Sequence, residues 1–498
     1  MAFSRENIRL IFGLKIKQLR LEKKINLSEL ANLAGVSVSY LNEIEKGKKY
    51  PKSEKIFAIA EALDTDYDSL VSLKLSKKLE PIAQILTSSI LTDLPLEIFG
   101  VEPADLFDLL SSTPDKLSAF ISTITAISRN YDVKVEQFFF SVLRSYQEMH
   151  DNYFPALEEA ADNFLTELNI RNNQPIDDSL LSELLTKQYG YKIEFFDENS
   201  QPELMKLRSI VISKNGPKLF INKRLTTQQR AFTYGREIGY QYLKIKTRPL
   251  ISSVVEATSF EQVLGNFQAS YFAGAILINR KKIIKRLDDF FQYRVWNSTG
   301  FLAIMDEFCC TPEVFLSRLT NVMPSHFKIN ELFFFRFNNT VNNEFYYLNK
   351  ELHLAKLHPP HGTDLDEHYC RRWASITTLQ SLVQKQIESP QKPIKPFAKA
   401  QISDFSDDGS SQYFVITMAM PSALNSSQNS SVTVGFLLDE KLRNTMLFLK
   451  DPGIIIKKVG ETCERCSKLD CIDRVSPSNI WQKKQEAQAL KEAAERLV

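Results

Sequence analysis

The sequence lacks any long apolar run, any signal-peptide pattern and any marked net charge. No stretch of the 498 residues reaches the roughly 18 to 20 apolar residues that a membrane-spanning helix needs. The N-terminus carries charges throughout, where a secretory signal would be apolar. The 62 basic and 60 acidic residues leave a net charge of +2, which excludes a globally basic protein. We therefore expect a cytoplasmic protein without a membrane partner, in which a local patch must serve any nucleic acid.

Cysteine is also scarce, and half of it is clustered. Of six cysteines, Cys463, Cys466 and Cys471 fall within the single stretch "ETCERCSKLDCIDR". In a reducing compartment such clusters are more often metal ligands or reactive thiols than disulfides. Three ligands complete neither a tetrahedral zinc site nor an iron–sulfur cluster, and Cys370 is the candidate fourth. Three histidines shortly before it are alternative ligands: His358, His361 and His368.

The spacing of these cysteines leaves their chemistry open. A 4Fe-4S cluster, a structural zinc ion, and reactive or incidental thiols all remain, because thiolates suit both metals. Lys468 and Arg474 lie nearby, and positive charge of this kind is expected to lower a thiol pKa.

Hydrophobic periodicity divides the chain into helical and mixed segments. Residues 1–75 predict several short helices, and the apolar periodicity of residues 80–170 predicts helices that we take as a candidate dimer surface. Strands are predicted around Asn215-Gly216, and again in "ELFFFRFNNTVNNEFYYLN", "SQYFVITMAM" and "SVTVGFLLD". The predicted domains are 1–75, a helical connector at 76–154, α+β segments at 155–360 and 361–475, and a polar terminal helix at 476–498.

Turn and capping residues near the N-terminus predict two short helices joined by a tight turn. Asn26 and Glu29 have the spacing of a reciprocal capping box, and Gly35 allows the turn. A second helix is predicted to start after Ser37 and to end at Gly47. This geometry presents a second helix to the DNA major groove.

The outward positions of that second helix are polar. Hydroxyls and amides at its start suit base edges, and the lysines beyond it suit phosphates. The predicted DNA-binding residues are Ser37, Ser39, Tyr40, Asn42, Glu43, Lys46, Lys48 and Lys49. Residues 29–51, with "ELA", "GVS" and "SYLNEIEKG", resemble the Xre/Cro-like helix-turn-helix family, although Leu27 stands where that family often has a glutamine. The alternative is a helical protein-interaction module with a solvated lysine face.

A second motif resembles a zinc-peptidase helix that has lost its ligands. In "QQRAFTYGREIGYQYL", Arg236 and Tyr240 occupy the positions of the two metal-binding histidines, and Glu237 remains. Arginine stays protonated and cannot bind Zn²⁺. The segment 155–330 is similar to the ImmA/IrrE peptidase-like domain, which implies a scaffold and argues against an enzyme. Glu237 is then a buried or ion-paired carboxylate near Arg236 or Arg230, and an active zinc peptidase is the alternative.

The order of these segments resembles the short-chain fatty acyl regulators. The resemblance rests on Cys370 with Trp373, and on the late Cys-x₂-Cys-x₄-Cys followed by Arg474. It implies a sensor of acyl-coenzyme A, and in some members an iron–sulfur cluster held by Cys370, Cys463, Cys466 and Cys471. Arg371 and Arg372 could meet coenzyme A phosphates or form a solvated pair.

Together these patterns predict a multidomain regulator. Its parts are an all-α helix-turn-helix domain, an α-helical connector, a degenerate α+β zinc-peptidase-like domain and an α+β sensor domain. We expect it to bind a double-stranded DNA operator as a homodimer or higher even oligomer, under control of an acyl-CoA-like effector. The alternative is a zinc metallopeptidase, or an interaction scaffold with a structural zinc site.

Overall fold

The structure, a computed structural model, describes most of the chain. The described residues are 5–72, 135–168, 176–212, 216–249, 257, 259–341, 345–354, 367–389, 394–405, 411–425 and 427–496. Most of the predicted dimer surface, together with Asn215, His358 and His361, lies outside them. The chain divides into two compact units, residues 1–142 with 257–261 and residues 143–256 with 262–498. Within the described ranges, no helix has the length and apolar character needed to cross a membrane.

Five helices form the described N-terminal part, as the sequence predicts. They are α1 (Arg5–Glu22), α2 (Leu27–Leu33), α3 (Val38–Glu45), α4 (Ser53–Ala62) and α5 (Tyr67–Val71). Their apolar faces share one core that includes Leu30, Leu41, Ile44, Ile56 and Leu63.

Two contacts fix α3 against α1. Gly13 of α1 lies so close to α3 that a Cβ atom there would stand 2.3 Å from the carbonyl oxygen of Ile44. Next to it, the buried Arg20 donates from Nε to Glu45 at 2.7 Å and from Nη2 at 2.9 Å. The bidentate pair and the close backbone approach together set the direction in which α3 points.

The remaining described helices surround two sheets. They are α6 (Val135–Met149), α7 (Pro155–Glu167), α8 (Asp178–Lys187), α9 (Thr227–Tyr242), α10 (Phe260–Leu277), α11 (Arg280–Phe291), α12 (Ser298–Asp306), α13 (Pro312–Val322), α14 (Ala374–Glu388), α15 (Glu440–Thr445) and α16 (Asn479–Glu495). The predicted polar terminal helix is confirmed as α16, which has no buried residue.

The first sheet has three strands in the order β1-β3-β2. They are β1 (Lys192–Phe196), β2 (Ser209–Ile212) and β3 (Lys218–Asn222). β2 and β3 form the predicted antiparallel hairpin, in which Gly216 adopts a φ of +94°, and β1 pairs with β3 in parallel. Helix α9, which carries the peptidase-like motif, follows β3 directly.

The second sheet has six strands in the order β5-β4-β8-β7-β6-β9. They are β4 (Leu332–Thr340), β5 (Tyr346–His353), β6 (Phe397–Asp404), β7 (Gln412–Pro421), β8 (Gln428–Leu437) and β9 (Ile456–Lys458). Its pairs are antiparallel except for β6 with β9. Helix α14 covers one face, where Phe333, Phe335 and Phe337 pack on Trp373, and α13 covers the other.

Two sequence predictions need correction in this sheet. The predicted boundary at residue 360 falls inside it, because β4, on one side of that boundary, hydrogen-bonds with β8, on the other. The predicted Ser/Asn-rich loop is shorter than expected, since Gln428 to Ser431 belong to β8. These polar residues pair with both β4 and β7, and this pairing outweighs their low strand propensity.

Replacing Gly13 with alanine should loosen the N-terminal helices. The overlap with the Ile44 carbonyl should cost about 1–3 kcal/mol or more, which exceeds the roughly 1 kcal/mol that alanine gains over glycine in a helix. Hydrogen exchange of peptides from residues 5–72 of the full chain should therefore accelerate. Gly274→Ala is the matched control, because its Cβ would meet no atom within 4 Å. Unchanged exchange in Gly13→Ala would contradict the close approach.

Candidate functional sites

The turn that presents α3 has the local geometry predicted from the sequence. Asn26 Oδ1 accepts from Glu29 N at 2.9 Å, and Glu29 Oε2 accepts from Asn26 N at 2.7 Å. Gly35 has a φ of +58° and Gly47 a φ of +68°, a region that favours glycine. Ser37 Oγ accepts from Tyr40 N at 3.2 Å and so caps α3.

Seven of the eight predicted DNA-binding side chains lie on α3 or immediately after it, and Ser37 is its N-cap. Ser37, Ser39, Asn42, Lys48 and Lys49 are exposed, and Tyr40, Glu43 and Lys46 are partly exposed. Lys49 Nζ pairs with Glu43 Oε2 at 2.7 Å, and this hydrogen bond raises the pKa of Lys49. The charges of Glu43 and Lys49 therefore neutralise each other in this structure. Substitutions at Asn42 and Lys48 test DNA binding more directly.

Two substitutions separate base reading from phosphate binding on α3. Asn42→Ala should lose about 1–3 kcal/mol of discrimination between operator and mutated sites, because an exposed amide reads base edges. Lys48→Ala should weaken binding to all sequences and reduce the slope of affinity against salt by about one ion. Fluorescence anisotropy at several salt concentrations measures both effects on DNA selected with the wild-type chain.

Lys483→Ala, on the exposed helix α16, is the charge-matched control and should bind DNA as the wild type does. Wild-type binding curves for both Asn42→Ala and Lys48→Ala would remove the assignment of α3 as the reading helix.

The peptidase-like position contains an ion pair in the protein interior. Glu237, on α9, is fully buried, and its Oε2 accepts from Arg248 Nη2 at 2.7 Å. Arg236 Nη2 lies 4.0 Å from Glu237 Oε1, whereas Arg230 donates instead to Asp178 at 2.8 Å. The prediction of a buried, ion-paired carboxylate agrees with these contacts, but its main partner, Arg248, was missed because it lies in an irregular segment after the helix.

The groups around this pair do not fit a zinc ion. Arg248 stacks over the ring of Tyr240, 4.7 Å from its centroid, and burial raises the pKa of Tyr240 to about 12. Tyr191 donates to Glu237 Oε2 at 3.4 Å and accepts from Gln241 at 2.8 Å. A neutral phenol and two guanidinium groups offer no ligand set for Zn²⁺, and Arg248 supplies the positive charge next to the carboxylate.

Removing Arg248 should destabilise the fold more than removing both partners. Arg248→Ala leaves the Glu237 carboxylate buried without its closest cation, which should cost about 3–5 kcal/mol in the free energy of unfolding. The double variant Arg248→Ala, Glu237→Gln removes the buried charge as well and should recover part of that loss. Urea unfolding at neutral pH measures both variants. A double variant less stable than Arg248→Ala would contradict the ion-pair account.

A short antiparallel contact brings two of the candidate metal ligands side by side. Tyr369 and Thr462 form an isolated bridge between the segment before α14 and the cysteine loop, defined here as residues 461–478. Cys370 N donates to the carbonyl of Glu461 at 3.0 Å, and Cys463 N donates to the carbonyl of His368 at 2.8 Å. Cys370, distant in sequence, therefore lies next to Cys463.

Gly460 lies between two of the thiols. Its N–H donates to Cys370 Sγ at 3.4 Å, and a Cβ atom on it would stand 3.0 Å from Cys466 Sγ. Burial raises the pKa of Cys370, and the nearby thiols of Cys463 and Cys466 raise it further. The expectation that positive charge would lower the thiol pKa is therefore wrong for Cys370, where desolvation dominates.

Arg474 holds the backbone of the cysteine loop, and Glu464 of the same loop binds His368. Arg474 donates from Nη1 to the Cys463 carbonyl at 2.6 Å, and from Nη2 to the carbonyls of Cys466 at 3.2 Å and Lys468 at 2.7 Å. His368 Nδ1 lies 2.8 Å from Glu464 Oε1. The interactions of Arg474 and His368 are thus structural, and neither was evident from spacing alone.

The side chains of this region meet some, but not all, of the requirements of a thiolate-bound metal site. The described residues contain no group of three or more His, Cys, Asp or Glu side chains already arranged to hold an ion. The support for a metal lies in the four thiol donors, in the proximity of Cys370 to Cys463 and Cys466, and in the approach of Cys370 and Cys466 to Gly460. Cys471 is on the same loop, within electrostatic reach of Arg372.

Arg371 and Arg372 do not form a solvated pair. Arg371 is 8% exposed and lies over the ring of Tyr346, 4.7 Å from its centroid. Arg372 Nε donates to Asp473 Oδ2 at 2.7 Å, which connects the start of α14 with the cysteine loop. Both guanidinium groups serve packing and loop attachment.

Family models match two parts of the chain. The model described as Helix-turn-helix matches residues 16–70, and the model described as IrrE N-terminal-like domain matches residues 188–320. The first range runs from the last part of α1 to α5, and the second holds the three-stranded sheet with α9 to α12 and most of α13. The chain thus carries an Xre-type helix-turn-helix domain, which implies DNA binding, and an IrrE-like domain.

Two curated proteins are similar to parts of the chain. The first is the propionyl-CoA carboxylase regulator of Cereibacter sphaeroides, to which the chain is 20% identical over 288 residues. This match covers 54% of this chain and 57% of that protein. The second is the HTH-type transcriptional repressor RghR of Bacillus subtilis, to which the chain is 39% identical over 61 residues. This match covers 12% of this chain and 45% of that protein. The chain spans about half the length of these relatives.

A solved structure, a Mycobacterium tuberculosis transcriptional regulator, has a TM-score of 0.46 and 18% identity, and the match covers 67% of this chain and 92% of that one. Because the TM-score is below 0.5, nothing about this chain is inferred from that similarity. The helix-turn-helix match and the two curated relatives support a transcriptional regulator, since both relatives are named as regulators.

Proposed function

We propose that the chain is a one-component transcription regulator that binds an operator through α3 and responds to a short-chain acyl-CoA or a related metabolite. The observation that carries the first part is the α3 surface, whose caps and turn set an exposed row of polar side chains in the geometry of a DNA-reading helix. As a DNA-binding regulator it would act in the cytoplasm.

The class of effector is proposed from a relative. The Cereibacter sphaeroides protein is named for the regulation of a carboxylase that acts on an acyl-CoA. An effector of the same class in this chain would bias two arrangements of the protein by binding one of them more tightly. Two DNA-binding heads, roughly 34 Å apart along the DNA, would then be repositioned together, which requires an even oligomer.

The cysteine region is proposed as a second input. Cys370, Cys463, Cys466 and Cys471 would hold a 4Fe-4S cluster, and a structural zinc ion is the alternative for the same thiols. A cluster would supply one-electron redox chemistry when bound. Arg474 holds the backbone of the cysteine loop from within, and Glu464 attaches the loop to the backbone of His368, two residues before Cys370.

Metal analysis of protein purified without oxygen tests the cysteine assignment. We expect iron and acid-labile sulfide in similar amounts, with visible absorbance, and their loss in Cys463→Ser. Cys309→Ser is the matched control, because Cys309 is a partly exposed thiol in the turn after α12, remote in sequence from the cysteine loop, and it should keep full metal content. Stoichiometric zinc without visible absorbance would replace the cluster by the structural alternative. Metal-free, folded wild-type protein would contradict both and would leave the acyl-CoA effector as the sole proposed input.

A further inference from the structure

The helix that presents the predicted DNA-binding residues also carries an exposed apolar side chain. Val38 is the first residue of α3, and it is 42% exposed. The other apolar residues of α3 serve the helical core: Leu41 and Ile44 are buried in it, and Tyr40 packs against it. Val36, two residues before Val38, also packs against that core. Val38 therefore differs from its apolar neighbours in presenting its methyl groups to solvent.

Helical geometry places Val38 beside Asn42. Residues at positions i and i+4 of a helix are neighbours on one face, with Cβ atoms roughly 5–6 Å apart. Val38 and Asn42 form such a pair on α3, and Asn42 is itself exposed. The face that carries the predicted base-reading amide thus also carries two methyl groups, one turn nearer to the start of the helix.

The first turn of α3 differs from those of its neighbours in charge. Acidic residues stabilise the first turn of a helix, and α2, α4 and α5 have Glu29, Glu54 and Asp68 there. Helix α3 has no acidic residue in its first turn and has Val38 instead, although valine is a weaker helix former than alanine. A carboxylate at this place would repel DNA phosphates, whereas a methyl group does not. The start of α3 is therefore compatible with close approach to DNA.

Exposure alone does not distinguish Val38, but its position does. Other exposed apolar side chains of the N-terminal part are Leu21, Leu33, Tyr50 and Phe57. They lie on α1, α2, the segment before α4, and α4, so none of them is on the helix that presents the DNA-binding residues.

We infer that Val38 recognises the C5-methyl group of a thymine in the operator. Among the four DNA bases, thymine alone presents a methyl group in the major groove, and apolar side chains recognise it by contact. The N-terminal residues of a reading helix are the ones that contact base edges, and Val38 is the first residue of α3. This inference deepens the proposed function and rests on its claim that α3 binds the operator.

The spacing of the two side chains on α3 predicts the spacing of the bases that they contact. A separation of roughly 5–6 Å corresponds to one or two base-pair steps of roughly 3.4 Å. The thymine recognised by Val38 should therefore lie one or two base pairs from the base recognised by Asn42. For that second base we expect adenine, which an amide side chain binds through two hydrogen bonds.

Removal of single methyl groups from the DNA tests the inference with the full chain. DNA selected in vitro with the wild type is resynthesised with deoxyuridine in place of thymine, one position at a time, so that only the methyl group is lost. At the thymine near the Asn42-dependent base, the affinity of the wild type should fall about fourfold, as expected for one buried methyl group. Val38→Ala should bind the thymine DNA more weakly, and deoxyuridine at that position should cause it no further loss.

The design separates base recognition from folding. Each protein is compared with itself on two DNAs, so a change in the stability of Val38→Ala affects both measurements alike. Leu21→Ala is the matched control, because Leu21 is an apolar side chain of α1 with a similar exposure of 46%. It should show the same loss with deoxyuridine as the wild type.

The outcomes distinguish this inference from the proposed function. An equal response to deoxyuridine in the wild type and in Val38→Ala at every thymine would overturn the inference. The proposed function would still stand in that case if Asn42→Ala loses discrimination between operator and mutated sites. A wild-type chain without any sequence preference would overturn both.

Discussion

One interaction, between the guanidinium group of Arg248 and the buried carboxylate of Glu237, excludes a zinc site at the peptidase-like position. Arg248 binds Glu237 inside the IrrE-like domain, and Tyr240, which stands at the position of a metal-binding histidine in the peptidase motif, packs against that arginine as a neutral phenol. Because arginine keeps its proton, the position is closed to zinc chemistry. The carboxylate is then a structural group, and α13 of the same domain packs on β4 and β8 of the six-stranded sheet.

Local sequence patterns predict the helix-turn-helix domain well, whereas the structure of the other parts depends on contacts between residues distant in sequence. Asn26, Glu29, Gly35 and Ser37 predict the helix-turn-helix because caps and turns depend on neighbours within a few residues. Arg248 and Gly460 could not be predicted, since each comes from an irregular segment whose position depends on the packing of distant elements. The predicted domain boundary near residue 360 was wrong for a similar reason. Apolar and polar residues alternate along a strand in the same way whichever sheet the strand joins.

The central proposal is that the state of the cysteine region controls DNA binding by the N-terminal domain. The most direct measurement is the affinity of the full-length chain for DNA selected in vitro, compared between protein purified without oxygen and the same protein stripped of metal. The account predicts a change of at least tenfold that is absent in Cys463→Ser. Equal affinity in both states would contradict it.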